Sequence, residues 1–317
     1  MDHYNSFSEF QIRFLPPVFG VEFCVALLGN ALALWLLVTR ERKDWHTGVV
    51  FSCNLAISDL LYVLTLPLLL LYYAGGKDWR FGPSACKLER FLFTCNLYVS
   101  IFFIMCISVN RYVAIVHPFF TRSHVRPRHA AAASVLVWAL VAAISSPVLG
   151  FADTCARNGT NATECVSCCG AGEEEQRRHL AYSLFLAAFG CLLPFLATFA
   201  SYAAIFRVVL RNRSITPLEK RKVLLMVSSV LALYAVSFVP YHVLRNLHFY
   251  LKMRNLGWSR PGVHRAYQVS KGLVTLNMCI HPLLYMALFD SIRTVCCRGG
   301  GGGGGEDREA DRAGEQS

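Results

Sequence analysis

Seven long apolar runs, separated by short polar and basic stretches, divide the chain. They cover about 15–39, 48–73, 86–116, 130–151, 180–210, 222–250 and 267–289. None alternates in the two-residue period of a strand, and each is long enough for the roughly 20 residues with which a helix crosses the hydrocarbon core. In lipid every backbone N–H and C=O must be satisfied internally, so continuous runs of this kind predict helices. The pattern predicts an all-α membrane protein, a seven-transmembrane helix bundle over 15–295. A short N-terminal segment, 1–14, precedes it, and a tail, 296–317, follows. Phe289 to Val295 predicts a short amphipathic helix along the membrane surface after the last span. The tail opens on Gly299 to Gly305 and stays polar, a composition that buries little and predicts disorder.

Composition narrows the function classes. Of 317 residues, 55% are hydrophobic and only 16% are charged, against about a quarter charged in soluble domains. The net charge of +11 would suit nucleic acid, but the basic residues lie between the apolar runs, so no nucleic-acid partner is expected. Arg40, Arg42 and Lys43 follow the first run, and Arg122, Arg126 and Arg128 the third. Arg211, Arg213, Lys220, Arg221 and Lys222 join the fifth to the sixth. Short basic loops predict the cytoplasmic side. Asn158-Gly159-Thr160 and Asn161-Ala162-Thr163 are glycosylation acceptors that put the fourth-to-fifth loop outside. The expectation is a multi-pass plasma-membrane protein with an extracellular N-terminus and no cleaved signal peptide. Cys296-Cys297, next to the last span, predict palmitoylation and membrane lipid as a partner. Ser and His are scattered and the 13 cysteines lack metal-ligand spacing, so no enzyme is expected. A transporter's internal repeat with paired broken helices is also missing.

The polar residues inside the runs carry the chemistry. Asp59 is a carboxylate near mid-bilayer, a costly placement that usually marks function. Counted from the inner helix ends, Asp59, Ser100 and Asn277 come to one depth, roughly 16–18 Å. Oxygen groups from three helices at one level suit either a sodium ion or a water-filled hydrogen-bond knot. Basic and polar side chains gather in the outer halves: Arg90, His242, Arg245, Gln268 and Lys271. His242 and Arg245 stand i, i+3 on one face. The acids in that zone are Glu22 and Glu89, with Glu89 on a different helical face from its neighbour Arg90. Positive charge is left over, which predicts an anionic ligand, and guanidinium groups match phosphate oxygens. The competing reading has Glu173, Glu174 or Glu175 fold over the mouth and pair with these cations. A retinal pigment on Lys271 would need a facing carboxylate, where the third run offers Arg90. Phe93, Tyr98, Tyr241 and Tyr267 are candidates to stack on a base.

One polar or kinking motif marks each run, in order. These are Gly29-Asn30; Leu55-Ala56-Ile57-Ser58-Asp59 with Pro67; Cys86 and Asn110-Arg111-Tyr112; Trp138 and Pro147; Pro194 and Tyr202; Phe238-Val239-Pro240-Tyr241; and His281-Pro282-Leu283-Leu284-Tyr285. Over 15–295 this order resembles the rhodopsin-like G-protein-coupled receptors. The resemblance implies a switch in which the sixth helix swings outward to admit a heterotrimeric G protein. Pro240 and Pro282 would supply flexible points beside Phe238, and Tyr202 and Tyr285 would hold the open state. It assigns Arg111, with Tyr112, to the inner end of the third helix. Asn110 stands where the family has an acid, which predicts a weakly latched inactive state. In the family the Asp59 cluster is a sodium site, and Cys86 tethers the third helix to the second outer loop. Distance from Pro194 favours Cys168 as its partner, with Cys155–Cys165 as a local pair, and the connectivity stays open.

His242-Val243-Leu244-Arg245 resembles the signature of the metabotropic purinergic nucleotide receptors, most like their ATP-preferring members. Leu88 through Leu97 and Val116-His117-Pro118-Phe119-Phe120 extend the likeness. It implies an extracellular nucleotide such as ATP as ligand, held by Arg90, His242, Arg245, Gln268 and Lys271. It also implies signalling through Gq to phospholipase C and calcium, and through Gs to cyclic AMP. Two departures stand out. Lys271 replaces an arginine, and 1–14 and 251–266 lack the cysteines of the family's second outer disulfide. The alternative is the same scaffold serving a dicarboxylate or a lysophospholipid.

Overall fold

A computed structural model describes residues 2–40, 47–157, 161–211, 217–254 and 261–288. Phe289 to Val295, Cys296, Cys297 and Asn158 lie outside the described residues. The predicted spans are all helical. The first is α1 (Asp2–Arg40), which begins well before residue 15 and runs through Pro16 and Pro17. Its buried residues, Leu15, Phe19, Glu22, Ala26, Asn30, Ala33 and Leu37, recur at steps of three and four, while Leu28, Leu32 and Trp35 are exposed. Both faces are apolar, as a helix between bundle and lipid requires.

The second span is α2 (Thr47–Val63) and α3 (Leu66–Ala74). It breaks where Pro67 removes a donor, and Thr65 Oγ donates to the Tyr62 carbonyl at 2.7 Å. The third, α4 (Gly82–Val116), is the axis of the bundle, with an unbroken buried stretch from Phe93 to Ile104. A short α5 (Pro118–His124) leads to the fourth span, α6 (Pro127–Ser145) and α7 (Val148–Phe151), parted at Pro147. An antiparallel hairpin follows, β1 (Ala152–Ala156) with β2 (Thr163–Ser167), registering Ala152 with Ser167 and Thr154 with Cys165.

The fifth span is α8 (Glu173–Phe185) and α9 (Leu193–Arg211), joined by a π-helical stretch, Leu186–Leu192. The sixth joins α10 (Pro217–Leu233) to α11 (Val239–Met253) through a second, Tyr234–Phe238, placed just before Pro240. The seventh, α12 (Pro261–Leu288), has 28 residues and holds Pro282 inside it. Among the described residues six helical stretches are long and apolar enough to cross a membrane. At 1.5 Å per residue α12 is about 42 Å long, enough for a seventh.

Polar side chains staple the spans from within. Asn30 Nδ2 donates to the Met278 carbonyl at 2.9 Å, tying α1 to α12. Trp138 Nε1 donates to Asn54 Oδ1 at 3.0 Å, tying α6 to α2. Tyr182 donates to the Ile144 carbonyl at 2.7 Å, and Tyr234 to the Cys191 carbonyl at 2.9 Å. The first π stretch sets one close approach. A Cβ at Gly190 would come within 2.7 Å of Tyr98 Cδ1. Tyr98 is fully buried and its hydroxyl lies 3.0 Å from His242 Nε2, joining α4 to α11.

Gly190→Ala should therefore force the Tyr98 ring aside and lower stability by about 1–3 kcal/mol, the cost of overpacking. Thermal melting of the purified protein should show an earlier transition, and an unchanged midpoint would contradict the contact.

A cationic cavity at the hairpin end

The bundle opens beneath the hairpin into a cavity of about 480 Å³. The hairpin closes its roof because it is fastened twice. Trp79 N–H donates to the Thr163 carbonyl at 2.7 Å. Cys86, at the start of α4, is disulfide-bonded to Cys165, with Cα atoms 5.6 Å apart. Cys155 pairs with Cys169, and Cys168 is a free thiol. This corrects the expectation that Cys168 joins Cys86. Strand alternation turns Cys165 inward, where it is 3% exposed. β2 ends at Ser167, and Cys168 turns the chain away with a left-handed φ of 58°.

The disulfide also places a cation. The Cys165 carbonyl accepts a 2.8 Å hydrogen bond from Arg90 Nη2. Arg90 Nε lies 3.6 Å from the buried carboxylate of Glu89. These two were expected on different faces; their side chains curl together despite the backbone step. Arg245 leans on aromatic faces, its guanidinium carbon 6.0 Å from the Tyr241 ring centre and 5.6 Å from that of Phe249. Lys271 Nζ stands 5.2 Å from the centre of Phe93. Among the described residues neither Arg245 nor Lys271 makes an ion pair. Gln268 lines the wall one turn from Lys271.

Sequence reasoning missed part of the lining. Lys77, Glu164 and Lys252 face the cavity, as do His248 and His264, whose rings lie 5.1 Å apart. Lys77 is 3.4 Å from Glu164, and Arg157 is 2.7 Å from the same carboxylate. Burial pulls the Lys77 pKa below its ordinary value, with Glu164 opposing. Lys77 lies in a loop and Glu164 on β2, while His248 and Lys252 stand on α11 and His264 on α12. A Lys-Asp pair after two glycines gives no local sign of a place in the cavity. Five cations, Lys77, Arg90, Arg245, Lys252 and Lys271, thus face three carboxylates: Glu164 on the wall, Glu89 behind Arg90, and Glu22, which accepts from Thr275 one turn beyond Lys271. Glu173, Glu174 and Glu175 form no ion pair among the described residues and do not line the cavity.

The structure does not bring His242 to this cavity. Its Nδ1 lies 2.8 Å from the Phe238 carbonyl and its Nε2 faces Tyr98. His242 lines instead an apolar groove between the fifth and sixth spans. His242 and Arg245 share α11, yet the His242 ring is held by Tyr98 and the Phe238 carbonyl while Arg245 enters the cavity. Of the stacking candidates, Phe93, Tyr241 and Tyr267 line the cavity and Tyr98 does not; Tyr267 lies nearly parallel to His248, 5.1 Å away.

Deeper in the bundle, Asp59 is fully buried. Its Oδ1 accepts from Asn96 Nδ2 at 2.9 Å, and His281 Nδ1 lies 2.7 Å from Oδ2. Asn277 Oδ1 accepts from Ser237 at 3.1 Å, and Ser100 is buried on α4. Both oxygens of the Asp59 carboxylate, expected to hold sodium with Ser100 and Asn277, already face nitrogen. At the opposite end, Asn110 Oδ1 accepts from Thr47 at 2.5 Å, fixing α4 to α2, with Arg111 and Tyr112 following it. Tyr202 is buried on α9 and Phe238 on the second π stretch. Tyr285 falls in the last turn of α12.

Residues 29–285 match the model of the 7 transmembrane receptor (rhodopsin family). The Y-type purinoceptor 11 of Homo sapiens is 45% identical, over 93% of this chain and 84% of the relative. The Y-type purinoceptor 1 is 37% identical in Gallus gallus, over 90% and 79%, and 36% identical in Homo sapiens, over 90% and 77%. The chain belongs to the rhodopsin family of seven-transmembrane receptors and, within it, to the Y-type purinoceptors. It is a multi-pass membrane receptor and not an enzyme.

Replacing Cys165 with Ser should abolish the tether and strongly reduce surface expression, a loss of about 2–5 kcal/mol. Replacing Cys168 with Ser should leave expression near wild type. Peptide mapping that finds Cys86 joined to Cys168 would reverse the assignment.

Proposed function

We propose that this chain is a receptor for an extracellular nucleotide of the ATP type. The observation that carries the reading is the cation surplus of the cavity, above all Arg245 and Lys271, which meet aromatic faces rather than carboxylates. A buried cation without a counter-charge is costly. A polyphosphate supplies the counter-charge, and planar guanidinium groups bind its oxygens in pairs. Tyr267 and His248, stacked on each other, put an aromatic pair in the cavity wall beside which the base lies. The names of the similar purinoceptors support the same ligand class.

In this reading the hairpin face is extracellular, and Asn161, exposed beside the hairpin turn, takes a glycan together with Asn158. The opposite face meets the heterotrimeric G protein, with Gq acting on phospholipase C and calcium and Gs on cyclic AMP. Cys296 and Cys297 are acylated and hold the tail to the inner leaflet. Polyphosphate drawn onto Arg90, Arg245 and Lys271 pulls α4, α11 and α12 together at the outer end. The π stretch and Pro240 let the sixth span answer at its inner end. Because position 110 brings no charge beside Arg111, the resting state is loosely held, and basal second-messenger levels stand above those of receptor-free cells.

Calcium release on applying ATP, UTP, succinate and lysophosphatidic acid tests the ligand class. ATP should act on wild type, and Arg245→Ala should lose about 10- to 100-fold in potency with surface expression kept, the loss of one charge-assisted hydrogen-bonding group. A response to a carboxylate or lysophospholipid alone, or unchanged potency in Arg245→Ala, counts against the reading. Equal second-messenger levels with and without the receptor count against the loose resting state.

A further inference from the structure

We infer that His281 stands where a cation would sit beside Asp59, and that this receptor is therefore indifferent to sodium. The inference rests on the donors and acceptors around one carboxylate. Asp59 and His281 are 0% and 1% exposed, and Nδ1 to Oδ2 is 2.7 Å. The other carboxylate oxygen is held by the Asn96 amide, which also donates to Ser58 Oγ at 3.2 Å.

A sodium ion needs a shell of oxygen lone pairs. This level of the bundle offers the reverse. Asn277 spends its oxygen on Ser237, and its Nδ2 has no hydrogen-bond partner among the described residues. His281 Nε2 is likewise without a hydrogen-bond partner there, as is Ser100 Oγ. N–H groups from Asn96 and His281 already point at the carboxylate, so an ion entering beside it would compete with two donors; the lone pair on His281 Nε2 is a nitrogen one, whereas a hard cation takes oxygen. Of these groups Ser100 Oγ is the one oxygen left over, and one hydroxyl cannot build a shell. The imidazole does what an ion would do for the fold, since it joins Asp59 of α2 to α12 through a short hydrogen bond. It does so as part of the chain, so the link does not depend on the salt outside.

The test uses the purified, detergent-solubilised full chain without agonist, so its outcome is independent of the nucleotide reading. Melting temperatures are compared in sodium chloride and in choline chloride, each at about 0.15 M, the physiological ionic strength. Equal midpoints for wild type are the expected result. A sodium-specific rise of about 2–4 °C, the size given by a site held about tenfold above its dissociation constant, overturns the inference. His281→Asn exchanges the imidazole for an amide whose oxygen can face an ion, and it should acquire that rise. A folded His281→Asn protein with no sodium response overturns the role given to the imidazole. If that variant fails to fold, the wild-type comparison decides alone.

Discussion

The hydrocarbon core holds no water, so backbone polar groups must be satisfied within the protein and buried polar side chains are stabilised where they pair across helices. That constraint explains why the spans are joined where they are. Asn30 reaches the Met278 carbonyl, Trp138 reaches Asn54, Tyr98 meets His242 and Tyr234 reaches the Cys191 carbonyl. Asp59 is the most demanding of these groups, and it gathers Asn96 of α4 and His281 of α12 onto α2. Positions that turn to lipid, such as Trp35, Leu136, Leu196 and Val236, are apolar and need no partner.

The same constraint gives the cavity beneath the hairpin its character. Arg90 finds Glu89 and the Cys165 carbonyl, and Lys77 finds Glu164. Arg245 and Lys271 rest on aromatic rings, an attraction of about 0.5–2 kcal/mol that falls short of a full counter-charge. The hairpin matters because its disulfide fixes both the roof and the carbonyl that orients Arg90. A binding site whose cations converge from α4, α11 and α12 is also one whose occupation bears on how those helices sit together.

Much of this is legible in the residues. Apolar runs of spanning length have few alternatives in lipid, and the breaks at Pro67 and Pro147 fall where a missing N–H requires them. Depth alone brings Arg90, Arg245, Gln268 and Lys271 to a common cavity. What escapes depends on register and rotation. Neither π stretch has a local signature, and nothing local shows that the His242 ring meets Tyr98 while Arg245, on the same helix, enters the cavity. Hairpin pairing selects Cys165 over Cys168, a choice set by strand alternation against α4. The helical face of Glu89 points away from its neighbour, whereas its side chain bends to Arg90. His281 reads as part of a motif, and its grip on Asp59 needs two helices packed together. Lys77 reaches the site from a loop, Glu164 from β2 and Lys252 from the last turn of α11, all beyond the apolar runs.

Underlying the functional reading is the claim that phosphate charge, rather than the base or sugar, fills the cavity. Equilibrium binding of ATP and of adenosine to the purified wild-type receptor tests it most directly. The account predicts that ATP binds saturably and that adenosine, which keeps the ring and loses all three phosphates, shows no binding at the same concentrations. Adenosine binding as tightly as ATP would contradict it.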